Sequence, residues 1–404
     1  MPRSGWVKPQ TDQRLSDHIS IGVLTRAYPA ELVDRVLLQC GGVEQRQRLL
    51  PARVMVYYAM AMALFSEGSY EEVMRNLVEG LDWASGWRRP WTVPSRVAIA
   101  KARARLGAEP LRALFEQVAA PLAEARTGGA FCGDLRLMAI DGTTFDLADT
   151  KDNEEAFGRP GTGRGEGRGA FPQLRAVALA ECGTHAIVEV ALGPVRTGEG
   201  TLAAQLWERL EPGMLVLADR LFYGFGAWQA ARARGAELLW RAKSNLILPV
   251  DEVLADGSYR SRVYDSADRK RSSPEPVRVV EYELCDPGLE GERHYRLLTT
   301  LQDHDAYPAE QLAATYPQRW EFETALDELK THQRGPRLVL RSKRPDGVRQ
   351  EVYGYLLAHY AIRALMHEVA LAAGRDPDRL SFTRSLRVVR RTARAGPGFS
   401  PHGA

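Results

Sequence analysis

Two aspartates and one stretch near residue 320 carry residue types able to do metal-dependent chemistry. Asp141 follows the mostly apolar, strand-like residues 135–140, and Asp219 follows the apolar residues 214–218. A carboxylate at the end of a buried strand can reach a ligand while the strand stays in the core. An Asp there also caps turns, so neither residue alone names a chemistry. The third feature is Tyr316-Pro317-Gln318-Arg319-Trp320-Glu321-Phe322-Glu323, followed by Lys330. On a regular helix, at about 100° per residue, Tyr316, Arg319, Glu323 and Lys330 fall at roughly 0°, 300°, 340° and 320°. Phe322, Ala325, Leu326 and Leu329 fill the adjoining arc and would seat the helix on a core. A phenol, a guanidinium, a carboxylate and an ammonium then point into one space. Taken alone, Arg319 and Glu323 are equally a surface i,i+4 pair contributing about 0.3–0.5 kcal/mol.

The elements that must position these groups change period along the chain. Residues 15–130 read as helices, with apolar residues recurring at three and four in 30–38 and 70–81. Ser95 is an N-cap candidate for a basic helix carrying Arg96, Lys101, Arg103 and Arg105, which could enter a DNA groove or lie as a solvated face. From residue 135 the pattern becomes strand-like. Strands are expected at 135–140, 174–181, 186–192, 214–218 and 237–241, with helices at 201–210 and 227–234. That order gives an α/β fold with a mixed sheet, and it fits a ribonuclease-H-like core. Residues 245–305 read as an inserted, mostly β region rich in Arg260, Arg262, Arg269, Lys270, Arg271 and Arg278. The Gly-rich stretch 158–169 is expected to be a mobile loop; it lacks the Lys-Ser/Thr of a phosphate-binding loop.

The spacing Y-x2-R-x3-E-x6-K makes the chain similar to bacterial insertion-sequence DDE transposases of the Y-R-E-K family, the insertion sequence four type. The resemblance extends to Ala139-Ile140-Asp141-Gly142-Thr143-Thr144-Phe145-Asp146, with Asn153 beyond it, and to Leu217-Ala218-Asp219-Arg220. It covers roughly residues 15–370. It implies a ribonuclease-H-like catalytic core with Asp141, Asp219 and Glu323 as the catalytic, metal-binding triad. Oxygen-only ligands favour two Mg²⁺ ions, with Mn²⁺ able to substitute. The implied partners are double-stranded DNA, as terminal inverted repeats and target, and a second copy of the chain in the synaptic complex. Tyr316, Arg319 and Lys330 are expected to position DNA phosphates. The chain then divides into a helical DNA-binding domain (1–130), the first part of the core (131–244), the β-rich insertion (245–305), the final core helices with Glu323 (306–374) and a basic tail (375–404). Some relatives hold a flipped base with a Trp in the insertion; here no Trp lies between Trp240 and Trp320, which leaves Tyr259, Tyr264 and Tyr282 as stacking candidates.

Composition sets outer bounds. The 404 residues carry 54 Lys and Arg against 51 Asp and Glu, a net charge of +3 that excludes a histone-like polycation. Basic residues nevertheless gather at 96–105, at 260–278 and at Arg384, Arg387, Arg390, Arg391 and Arg394, giving several patches for one polyanion. The four Cys are too far apart for a zinc ribbon or a dense disulfide framework. The longest apolar run, residues 54–65, is shorter than the roughly 20 residues of a membrane span. With no secretory signal at the N-terminus, the expected place is the bacterial cytoplasm, on the nucleoid. Two other readings use the same residues: a metal-dependent nuclease without strand transfer, and a non-catalytic DNA-binding regulator.

Overall fold

The computed structural model describes residues 22–42, 50–82, 93–161, 169–283, 294–333, 335 and 339–392. The N-terminal part is helical: α1 (Gly22–Ala27), α2 (Ala30–Gln39), α3 (Ala52–Leu64), α4 (Tyr70–Asp82), α5 (Arg96–Leu106) and α6 (Glu109–Val118). The Ser95 hydroxyl accepts from Ala98 N at 3.3 Å, which starts α5, and Gly107 at φ +73° ends it. Strand β1 (Phe131–Cys132) leads into β2 (Leu135–Leu147), then α7 (Lys151–Phe157), β3 (Gln173–Glu181), β4 (Ile187–Pro194), α8 (Glu199–Ala203), β5 (Met214–Ala218), α9 (Phe225–Arg232) and β6 (Glu237–Arg241). The insertion adds β7 (Glu252–Val253), β8 (Tyr259–Val263), β9 (Glu275–Glu283) and β10 (His294–Thr299). The chain then passes through α10 (Ala309–Thr315), α11 (Glu321–Asp327), β11 (Val339–Leu340), α12 (Pro345–Ala372) and α13 (Phe382–Thr392).

Among the described residues, one eleven-stranded sheet organises the molecule: nine strands in the order β4-β3-β2-β5-β6-β10-β9-β8-β7, with β1 and β11 each pairing with β2 off that path. Strands β2, β3 and β4 are antiparallel, while β5 and β6 run parallel to β2. This is the ribonuclease-H-like arrangement expected from the strand and helix order. The insertion is not a detached β module. Its strand β10 pairs antiparallel with β6 through Leu298↔Trp240, so its strands lengthen the same sheet.

Helix α12 forms the other half of the core. Residues 352–362 are buried throughout, and the helix packs on α3, α6 and α13. The apolar run of residues 54–65 becomes α3, buried along nearly its whole length against α12. The two helices approach so closely at Gly354 that a Cβ there would lie 2.7 Å from Ala59 O. No described helix is long and apolar enough to cross a membrane.

Several expected features change on folding. Helix 201–210 shortens to α8 plus a 3-10 turn at Trp207–Arg209. Arg103, expected on an exposed basic face, is buried and donates to Gln350 Oε1 at 2.7 Å and Ser342 Oγ at 3.0 Å. In the insertion, Arg260 pairs with Glu252 and Arg262 with Asp251, while fully buried Arg278 pairs with Asp256. Much of its positive charge is therefore matched internally, although Arg269, Lys270 and Arg271 stay exposed. Most of the Gly-rich stretch 158–169, together with Cys285 and Arg394, lies outside the described residues.

Candidate active site

Parallel pairing of β2 and β5 sets Ile140 opposite Ala218, so Asp141 and Asp219 are the next residues on neighbouring strands. The expectation that both strands end there holds for β5 only. Strand β2 continues through Leu147, because β3 keeps pairing with it as far as Asp146↔Gln173 and β11 pairs with its last residues. Asp141 thus sits mid-strand, at the level where its parallel neighbour stops.

The segment bearing Glu323 is not one regular helix. Tyr316–Trp320 is a 3-10 turn, Glu321–Asp327 is α11, and Glu328–Gln333 is a π-helical turn. Despite these changes of winding, the polar stripe faces the sheet. Three contacts fasten it there. The Tyr316 hydroxyl donates to Ala218 O at 3.2 Å, Arg319 Nη1 to Asp141 Oδ2 at 2.9 Å, and Lys330 Nζ to Thr143 Oγ1 at 2.9 Å. Phe322, Ala325 and Leu329 are buried beneath the stripe, as their spacing predicts.

The site concentrates negative charge around one buried cation. Arg319 is 6% exposed; beyond its bond to Asp141, its Nη2 stands 4.0 Å from Glu323 Oε1, and the guanidinium lies over the exposed Trp320 ring. Burial pushes the Asp141 carboxyl up, Asp219 adds to the rise, and Arg319 and the Gly142 amide oppose it. Glu323 is also raised, by burial and by both aspartates, against Arg319. Burial acts to lower Arg319, but Tyr316, Asp141, Asp219 and Glu323 together hold it above its ordinary value. The three carboxylates therefore feel one another across a shared space, and one guanidinium does not neutralise them. A hard divalent cation fits this all-oxygen donor set.

Tyr316 is turned inward; its hydroxyl is spent on Ala218 O, and burial raises it. Of the three candidate stacking tyrosines, Tyr282 alone joins a series of rings reaching the site. It stacks on Tyr295 at 5.3 Å; Tyr295 lies 4.0 Å beneath Arg241 and meets Tyr316 edge-on. Tyr259 instead donates to Glu281, and Tyr264 lies under Arg271. Asn153 is buried and ties Ala148 O to Ser342 O. Two neighbours escape notice in the sequence. Thr143 receives Lys330, and Glu199 places its carboxylate 2.7 Å from where a Gly142 Cβ would be. The only sequence hint of Glu199 is the glycine that makes room for it.

Away from the carboxylates, α13 presents Arg384, Arg387 and Arg391 along an open groove of about 780 Å³, facing Glu67 and Glu72. Arg390 is instead half-buried and donates to Leu64 O and Gln333 O.

Comparisons with known proteins agree along the chain. Residues 18–116 match the family described as Insertion element 4 transposase N-terminal, and residues 133–361 match Transposase DDE domain. The chain is 32% identical over 374 residues to Transposase InsG for insertion sequence element IS4 of Escherichia coli K12, covering 92% of this chain and 82% of that protein. It is 25% identical over 230 residues to Putative transposase InsZ of the same organism, covering 57% of this chain and 74% of that protein. A piggyBac transposase synaptic complex with hairpin DNA, solved by cryo-electron microscopy, aligns at TM-score 0.49 and 12% identity, covering 92% of this chain and 79% of that one.

Proposed function

The chain belongs to the IS4 family of DDE transposases, and from that premise we propose that it cuts DNA at the ends of an insertion sequence and joins the freed 3′-OH ends to target DNA. Transposases of this type generally use divalent metal. In our reading two Mg²⁺ ions are held by Asp141, Asp219 and Glu323. The observation that carries this reading is the meeting of Asp141 and Asp219 on adjacent strands with a Glu323-bearing segment fastened to both strands.

When bound, the ions activate the attacking oxygen and stabilise the leaving one. In the first step a water oxygen bonds to the phosphorus at the element's end, the P–O3′ bond breaks, and the 3′-oxygen leaves as a hydroxyl. In the second, that hydroxyl attacks a target phosphorus and displaces another 3′-oxygen. Asp141 and Asp219 hold the metal side of the site on the rigid sheet, and Glu323 closes it from α11. Arg319, pinned against Asp141, orients that carboxylate and offers its second nitrogen toward the scissile phosphate. Lys330, anchored on Thr143, contacts the next phosphate as a point charge. Tyr316 acts through packing, by locking the 3-10 turn to the end of β5. Synapsis of two ends calls for two copies of the chain.

The test is incubation of the protein with the element's own ends, a target plasmid and Mg²⁺. Joined products support the reading. Cleaved ends without joining point to a nuclease, and binding without cleavage points to a regulator.

A further inference from the structure

A second polar cluster lies on the other side of α11, remote from the carboxylates above in its chemistry and its ligands. His185 sits in the turn between β3 and β4 with φ +56°, an uncommon conformation for a residue with a side chain, and is 5% exposed. The turn cannot relax: Gly183, at φ +78°, is pressed so closely on residues 128–130 that a Cβ would lie 2.8 Å from both Gly128 O and Ala130 N. Glu321, the first residue of α11, accepts from Gly183 N. Asp378 comes from the 3-10 turn Pro377–Arg379, whose backbone is capped by Asp376. Among the described residues, His185, Glu321 and Asp378 are the one group of three or more potential metal ligands whose donor atoms all lie within 4.8 Å of one another.

The distances suit coordination. His185 Nε2 is 3.1 Å from Asp378 Oδ1 and 3.6 Å from Glu321 Oε2. Two donors about 2.0–2.1 Å from a tetrahedral ion lie about 3.3–3.4 Å apart, and the observed pair brackets that value. Nε2 is buried and has Asp378 as its near neighbour, with no well-aligned hydrogen bond. On the ring's far side, Nδ1 faces Glu328 Oε1 at 3.6 Å, and Glu328 is itself held by Arg363 Nε at 2.8 Å and His359 at 3.1 Å. At 3.6 Å that carboxylate stands just beyond hydrogen-bond range of Nδ1, and a small closure would let it hold the Nδ1 proton and present the Nε2 lone pair to a metal. In the structure Arg363 Nη2 donates to Nδ1, so Nε2 carries the proton and faces Asp378; ion binding would shift that proton to Nδ1 and leave Arg363 on Glu328. With neutral imidazoles and all three carboxylates ionised, Glu321, Glu328 and Asp378 outnumber Arg363 by two charges, which one divalent ion would balance.

We propose that His185, Glu321 and Asp378 form a structural site for one divalent ion of the Zn²⁺ class, which clamps the β3–β4 turn, the start of α11 and the segment before α13 together. The imidazole selects a borderline ion over Mg²⁺, and water completes the coordination. The site is independent of the reaction metals, and its test removes them. Full-length protein carrying Asp141→Asn, Asp219→Asn and Glu323→Gln is equilibrated with micromolar Zn²⁺, passed into metal-free buffer and analysed for zinc by mass spectrometry. The expected result is about one zinc per folded chain, reduced at least about tenfold when exposed Asp378 is changed to Asn or buried His185 to Gln. The Co²⁺ form of the same triple variant should show the intense visible bands of an imidazole-bound ion of low coordination number, a readout needing no change at the new site. A folded triple variant that retains no zinc and shows only the weak bands of oxygen-bound Co²⁺ overturns the proposal. So does zinc retention unaffected by both substitutions.

Discussion

Replacing Arg319 with Ala removes the one buried cation that the three carboxylates share. Its Nη1 is 2.9 Å from Asp141 Oδ2 and its Nη2 4.0 Å from Glu323 Oε1. At an effective dielectric of about 20, each such contact is worth about 4–6 kcal/mol before desolvation is subtracted. Deleting one partner of a buried pair costs about 3–5 kcal/mol. Asp141 retains 22% side-chain exposure and can take up a proton or water, so the lower end, about 3 kcal/mol, applies. Unfolding entropy of about 2.1 cal/mol/K per residue, summed over the 404 residues, converts this to a fall in Tm of about 3–4 °C. The second readout is protonation. Arg319 opposes the rise of both Asp141 and Glu323. Without it, the acid limb of DNA-end cleavage at fixed, subsaturating Mg²⁺ should move to higher pH. Arg319→Lys keeps the charge but loses the fork, and should fall between. Calorimetry and a pH profile on all three proteins provide the check. A Tm and an acid limb both unchanged in Arg319→Ala would refute the electrostatic role assigned to this residue.

Three other outcomes follow from the same structure. Gly354→Ala forces a Cβ to 2.7 Å from Ala59 O and 3.1 Å from its carbon, both main-chain, so α12 and α3 must part at a cost of about 1–3 kcal/mol or more; an unchanged thermal midpoint would contradict that close crossing. In metal-free protein, burial and Asp378 push the Glu321 carboxyl up to about 7, against an ordinary 4.5. The folded chain therefore binds the extra proton between those values, and its stability declines as pH rises from 4.5 to about 7, by on the order of 3 kcal/mol in all. His185 is also raised, by Asp378 and Glu328 against the opposing effect of its burial, and acts in the same direction, so Tm should fall from pH 6 to pH 8; a flat or rising Tm would oppose this. Lys330→Met should weaken binding of element ends and lower the slope of log K against log salt by about one, measured by fluorescence anisotropy; an identical slope would remove Lys330 from the phosphate contacts.

What the sequence exposes depends on how locally each feature is encoded. Five apolar residues followed by Asp219 define β5 to the residue, because a short buried strand leaves its own pattern. Asp141 is harder to place, since its strand is prolonged by β3 and β11, and that register is set by partners 30 to nearly 200 residues away. The stripe of Tyr316, Arg319, Glu323 and Lys330 is legible on a regular helix although the segment winds in three ways, and contacts to β2 and β5 hold it against the sheet. Arg103 looks like a DNA contact from its helix alone, whereas Ser342 and Gln350, which bury it, come from the far end of the chain. The short strands β7 and β8 pass unnoticed because they are charged and brief. His185, Glu321 and Asp378 share no spacing at all and meet only when the turn, α11 and the C-terminal segment pack together.

The assignment of Asp141, Asp219 and Glu323 is tested most directly by cleavage and joining of linear DNA bearing the element's own ends in Mg²⁺, with wild-type protein and with Asp141→Asn, Asp219→Asn and Glu323→Gln separately. Each variant, shown to be folded by circular dichroism, should lose at least about a hundredfold in both steps, which corresponds to about 2.7 kcal/mol of transition-state stabilisation. Any one of the three that cleaves and joins within a few-fold of wild type would contradict the assignment of that carboxylate to the metal site.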